Sequence, residues 1–192
     1  MEIKYKHFEI PVNERDLCFF DTETTGFELD KELLEIGAVR AKANTFEKLS
    51  EVDIKIKPQH IENASPEALE VVGYNEAEWG REGMNLREGL LKFLDFAEDT
   101  ILVAHNLPFD WMHVQNALEK HGFQPTYFYK GLDTFSLGWL LLGDKAEFPR
   151  LSLKELSNHF GVNMGTHHRA IDDARSAYMI FMDLVKLYGQ KK

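Results

Sequence analysis

The sequence predicts a mixed α/β sheet covered by helices, on three observations. Apolar runs ending in polar turns come first, helical spacing with start and stop residues dominates from Ser65 onward, and a short buried-strand pattern, Ile101 to Ala104, falls between two helical stretches.

The strand candidates open the chain. Leu17 to Phe20 is an apolar run leading into Asp21, Leu34 to Ala41 is a second, and Val52 to Lys57 alternates as a partly exposed strand does. Together they suggest a three-stranded meander. Ser65-Pro66-Glu67 sets a cap before a proline at the first helical position, and Gly73 closes that short helix. Asn85 starts another, with Glu88 three residues on and Leu86, Leu90, Leu94 and Ala97 on one stripe. After the strand at Ile101, helices are expected from Phe109 to His121 (stopped by Gly122), Thr134 to Leu142 and Leu153 to Phe160. Ser152 and Glu155 form a capping box for the last of these, and Gly161 ends it. The final helix runs from about Ala170 to Tyr188, with Ala174, Tyr178, Phe181, Val185 and Tyr188 at helical spacing.

A length of 192 residues supports one compact domain, residues 1–192 with a core from about 16 to 189. Hydrophobic residues at 44% and charged residues at 28% are globular proportions and exclude a disordered chain. No apolar run has the length of a membrane span, and the opening MEIKYKHFEIPVNERD lacks a secretory core, so the expected location is cytoplasmic. The single cysteine, Cys18, lies in an apolar run and reads as a core residue. A net charge of −10 argues against a protein that grips many phosphates of a long duplex. An enzyme touching the last few nucleotides through bound cations has less need of a basic surface.

Three segments carry chemistry. In FFDTETTG, Phe19 to Gly26, residues two apart share a strand face, so Asp21 and Glu23 project together at the strand's end. Such a pair repels itself unless a cation or proton intervenes, and carboxylate oxygens suit Mg²⁺ or Mn²⁺; the bland alternative is a polar turn. Thr22, Thr24, Thr25 and Gly26 add small side chains and a flexible backbone able to lie against a phosphate. In HNLPFD, a strand ends at His105 and Asn106 and a helix follows, with Asp110 in its first turn, where it serves either a ligand or the helix dipole. In HHRAIDDAR, Asp173 shares a face with Ala177, Ile180 and Leu184, whereas Asp172 aligns with Ser176 and Asp183. Asp173 is therefore the inward candidate. His168 precedes the helix in a segment able to fold back over the site; His167 adjoins it.

These three segments, in this order, resemble the DEDD 3′–5′ exonucleases, the DnaQ-like family, of the histidine subtype. The resemblance covers nearly the whole chain and implies a ribonuclease H-like fold with a mixed five-stranded sheet flanked by helices. It implies that Asp21, Glu23, Asp110 and Asp173 bind two divalent cations, Mg²⁺ or Mn²⁺. His168, five residues before the last carboxylate, becomes the general base. The implied reaction releases nucleoside 5′-monophosphates from a free 3′ end of DNA or RNA. Phe27 matches a position that often meets the terminal base, against the alternative of a core phenylalanine; His105 and Asn106 match positions near the substrate phosphate, against a loop-capping role. Thr24 and Gly26 complete the substrate-binding candidates. A homodimer or a polymerase is the implied protein partner, and the short stretch after Gly189 favours an enzyme acting alone. Two rival readings are a non-catalytic nucleic-acid-binding module on the same fold and another metal-dependent phosphodiesterase.

Overall fold

The computed structural model describes residues 9–165 and 168–190. Its strands form one mixed sheet in the order β3-β2-β1-β4-β5. β1 (Leu17–Thr24), β2 (Leu33–Ala41) and β3 (Lys48–Lys55) make the expected antiparallel meander. β4 (Ile101–Ala104) runs parallel to β1, and the two-residue β5 (Leu132–Asp133) runs parallel to β4. The mixed five-stranded sheet flanked by helices is therefore present.

Alternation along β1 sets what lies on each face. Cys18 and Phe20 point into a cluster with Ile36, Leu90, Phe93, Leu102 and Val114, covered by α3 (Leu86–Phe96) and α4 (Leu107–Lys120). Leu17 and Phe19 point the other way, toward Ile171 and Phe181 of α7 (Ala170–Gln190). A third cluster joins α5 (Thr134–Leu142) and α6 (Leu153–Phe160) to α7 through Leu141, Leu156, Ile180 and Leu184. Cys18 is fully buried, as its apolar neighbours predict.

The helix starts follow their capping chemistry. The Ser65 hydroxyl accepts the Ala68 N–H at the start of α1 (Pro66–Val72), and Asn85 accepts the Glu88 N–H at the start of α3. Ser152 and Glu155 close a two-way capping box on α6, and Gly73 and Gly161 end their helices in the left-handed region. Three elements differ from expectation. A helix, α2 (Glu76–Glu82), fills the segment that carried no prediction, although Asn75 caps it through the Glu78 N–H, a signal legible in the sequence. β3 begins four residues early, at Lys48, because its exposed first half is held by pairing to β2 and has no apolar alternation to betray it. α4 begins two residues early, at Leu107, because Asn106 takes a left-handed backbone (φ 66°) that turns the chain straight from β4 into the helix.

α7 lies very close to the sheet at Gly37 of β2, where a Cβ would stand 2.1 Å from the Ile171 nitrogen and 2.2 Å from the Ala170 carbonyl carbon. Backbone cannot yield as a flexible side chain does. Gly37→Ala is expected to destabilise the fold by at least about 2 kcal/mol in urea unfolding; an unchanged midpoint would contradict this packing.

Candidate active site

The alternation of β1 continues past its apolar half. Asp21 and Glu23 occupy the same face as Leu17 and Phe19, the α7 side, where Asp173 stands on the first turn of that helix. Thr22 points to the opposite side, toward α4. There its hydroxyl and its backbone N–H both donate to Oδ1 of Asp110, at 2.8 Å each. Asp110 thus reaches the end of β1 from one side of the sheet and Asp173 from the other. Asp110 and Asp173 are 3% and 5% exposed, which decides against solvent-facing carboxylates that merely flavour a helix dipole.

The segment before α7 folds back as the sequence suggests. His168 has a left-handed backbone (φ 67°), and its N–H donates to Oδ2 of Asp173 at 3.3 Å. Ligand atoms of Glu23, His168 and Asp173 all lie within 4.8 Å of one another. His167 lies outside the described residues. All ten predicted site residues, Asp21, Glu23, Thr24, Gly26, Phe27, His105, Asn106, Asp110, His168 and Asp173, line one cleft of about 310 Å³.

Crowding of anions governs its electrostatics. Burial, followed by the charges of Asp110, Asp173 and Glu23, raises the Asp21 carboxyl well above the usual carboxylate range. Burial, then Asp173 and Glu35, pushes Glu23 up to about 8. Burial pushes Asp110 up to about 7 even though both Thr22 hydrogen bonds pull it down. Four acidic side chains so placed fit divalent cations, whose charge answers a repulsion that the protein's own hydrogen bonds answer only in part.

Several contributors escaped the sequence reading. Phe109 lines the cleft beside Phe27, their ring centroids 5.9 Å apart, and α1 supplies Ala68 and Val71 to its lining. Phe27 is 85% exposed, so the core alternative fails for it. His105 and Asn106 combine cleft lining with capping work: the His105 Nδ1 pairs with the Thr134 hydroxyl at 3.0 Å, and the Asn106 N–H donates to Asp133. Glu35, fully buried on β2 opposite Glu23, accepts the Ala170 N–H and pairs with Arg169 at 3.0 Å. Arg169 also meets Glu78 of α2 and lies over the Trp79 ring. Glu35 therefore anchors the chain between His168 and Asp173. A lone glutamate inside the apolar run LLEIGAV was the available signal.

A model of the RNase_T exonuclease family matches residues 18–181. The chain belongs to this family of DnaQ-like 3′–5′ exonucleases. Its sequence is 32% identical, over 178 residues, to the PolC-type DNA polymerase III of Caldanaerobacter subterraneus subsp. tengcongensis, covering 90% of this chain and 12% of the polymerase. A PolC-type polymerase of Thermotoga maritima is likewise 32% identical, over 87% of this chain and 12% of its own. The exonuclease thus spans about an eighth of the length of these relatives. Among solved structures, Escherichia coli exonuclease I in a zinc-bound complex with single-stranded DNA superposes with a TM-score of 0.77 at 18% identity, covering 92% of this chain and 42% of that one. That likeness agrees with a ribonuclease H-like fold.

The raised carboxyl groups set a pH dependence. The unfolded chain releases these protons near the ordinary values of 4.5 for Glu and 3.8 for Asp, whereas the fold holds them to about 8 at Glu23 and about 7 at Asp110. The folded state binds the extra protons in between, so stability falls as pH rises through that window. Without divalent cations the melting temperature is expected to drop between pH 5 and 8, and Mg²⁺ or Mn²⁺ to restore it most at the alkaline end. Calorimetry with and without EDTA checks this; a melting temperature indifferent to the metal would contradict the crowded site.

Proposed function

We propose that this exonuclease hydrolyses phosphodiester bonds from the 3′ end of DNA or RNA, releasing nucleoside 5′-monophosphates with two divalent cations, Mg²⁺ or Mn²⁺. The observation that carries the reading is the convergence of Asp21, Glu23, Asp110 and Asp173, with His168, in one cleft. The whole chain, residues 1–192, is read as one exonuclease domain working in the cytoplasm; no helix among the described residues is long and apolar enough to cross a membrane.

Asp21, Glu23, Asp110 and Asp173 would hold the cations, which when bound supply Lewis-acid polarisation of the scissile phosphate and charge for the leaving 3′ oxygen. Thr22 fixes Oδ1 of Asp110 with two hydrogen bonds and so holds this carboxylate at the cleft. His168 takes the proton of the attacking water, held at the cleft by the fold-back that its own N–H makes to Asp173. Phe27 and Phe109 offer ring surface to the terminal base, which stacks without regard to sequence because every base has a π face. Thr24, Gly26, His105 and Asn106 border the path of the terminal phosphate.

The two relatives are polymerases and the solved neighbour holds single-stranded DNA, which supports a nucleic-acid substrate and makes association with a polymerase the favoured protein partnership over a homodimer. The five motif residues together argue against a non-catalytic binding module. Another phosphodiesterase, cutting internally, is separated from this reading by the substrate's end.

Asp21→Asn is expected to abolish turnover while leaving the fold intact, and EDTA to abolish it in the wild type. A 3′-blocked oligonucleotide should resist digestion that a free one undergoes, and products resolved by size should be mononucleotides; equal cleavage of both would overturn the assignment. His168→Ala should lower turnover by about 10²–10⁴-fold with a smaller effect on metal affinity measured by titration calorimetry. The opposite pattern would make His168 a ligand in place of a base.

A further inference from the structure

α4 carries a buried histidine that the proposed chemistry does not use. His113 is 2% exposed, and both of its ring nitrogens lie short of a full hydrogen bond. A buried N–H without a good acceptor is unfavourable. Its helix neighbours Val114, Ala117 and Leu118 belong to the apolar core, where a hydrophobic side chain would pack at no such cost. An imidazole is therefore a poor choice at this position for packing alone.

Its surroundings point to another role. Phe109, His113 and Asn116 stand at i, i+4 and i+7 of α4 and so form one stripe. That stripe meets the turn between β1 and β2, residues 25–32. The Phe109 ring lies 5.9 Å from the Phe27 ring and 4.7 Å from the His113 ring, centroid to centroid, and the Asn116 amide donates to the Leu29 carbonyl. Burial lowers the proton affinity of His113 most, while the Phe27 backbone raises it, as a carbonyl near a donating ring N–H does.

The turn depends on such contacts at its tip. Its base is closed by its own hydrogen bonds, from the Thr25 N–H to the Glu32 carbonyl and from the Glu32 N–H to the Thr25 hydroxyl. Between these residues Phe27, Glu28, Leu29 and Asp30 are all exposed, so burial of side chains does little to fix the tip. What sets the place of the Phe27 ring is the approach of the turn's backbone to α4.

We propose that His113 is a positioning residue: by polar contact with the Phe27 backbone, and together with the Asn116 hydrogen bond to Leu29, it holds the β1–β2 turn on α4 and keeps the Phe27 ring at the cleft. The inference rests on the reading of Phe27 as a ring that meets the terminal base. α4 then serves the cleft twice. Asp110, held by Thr22, stands beside the stripe that places Phe27, so a carboxylate for the cations and a ring for the base are set from one rigid element.

His113→Phe separates positioning from packing, since it keeps a ring against Phe109 and removes the N–H groups. Packing alone predicts wild-type kinetics. Positioning predicts an unchanged melting temperature, a KM for oligothymidylate raised about threefold or more, and a kcat within about twofold of wild type. Amides of residues 25–32 should also exchange faster, by mass spectrometry, in the metal-free protein. His113→Gln, which restores a donor, should recover most of the KM. In a Phe27→Ala background, whose own KM rises roughly fivefold or more through loss of a stacked base, His113→Phe should add nothing, because no ring is left to place. If His113→Phe melts early, Asn116→Leu replaces it, with the same KM rise and the same cancellation by Phe27→Ala expected. Wild-type KM in the folded variant overturns the proposal, as does a KM rise that persists in full without Phe27. Wild-type KM in Phe27→Ala overturns it as well, while leaving hydrolysis in place. Faster exchange in His113→Phe, in a protein whose wild type hydrolyses nothing with Mg²⁺ or Mn²⁺, overturns the catalytic reading and supports the placement of the turn.

Discussion

Alternation along one strand underlies both the core and the cleft. β1 sends Leu17 and Phe19 against α7 and Cys18 and Phe20 against α3 and α4. The same two-residue period, carried beyond the apolar half, sends Asp21 and Glu23 to the side where Asp173 waits and turns Thr22 toward Asp110. A slip of one residue in the β1–β2 register would reverse every one of these positions at once. The packing that stabilises the sheet therefore also keeps the acidic residues together, and neither can drift without the other.

That arrangement opposes its own stability. Burial of several carboxylates side by side disfavours their ionisation, and raised proton affinities at Asp21, Glu23 and Asp110 are the consequence. The protein compensates in part, both at the cluster and around it. Thr22 donates two hydrogen bonds to Asp110, and Glu35 has Arg169 and the Ala170 N–H as partners. Lys55 pairs with Glu78 and Glu82 of α2, and Trp79 of that helix donates to the Leu34 carbonyl. α2 thus supports Arg169, Arg169 supports the start of α7, and the start of α7 carries His168 and Asp173. The repulsion that remains among these carboxylates suits divalent cations.

The acidic surface and the small cleft describe one mode of engagement. A protein of net charge −10 gains little from long-range attraction to phosphate, which leaves the cleft and the rings beside it as the surfaces suited to contact. Phe27 and Phe109 meet at the cleft, and Phe135 lies against His105 of its lining.

From the sequence alone came the α/β class, the meander, most helix starts and the acidic candidates of the cleft, because each depends on local rules: strand alternation, capping by Ser65, Asn85 and Ser152, and the helical phase that separates Asp173 from Asp172. α2 was legible too, through Asn75 and Glu78, and went unread. Tertiary structure alone decided the rest. Phe27 is a lone ring in a chain with 14 phenylalanines, and only packing against Phe109 and not the core makes it exposed. The Glu35–Arg169 pair joins residues 134 positions apart, and β5 is too short for any periodicity to show. Distance in the chain hides such pairings, because a side chain's partners across the sheet are set by register and helix approach, which no local pattern encodes.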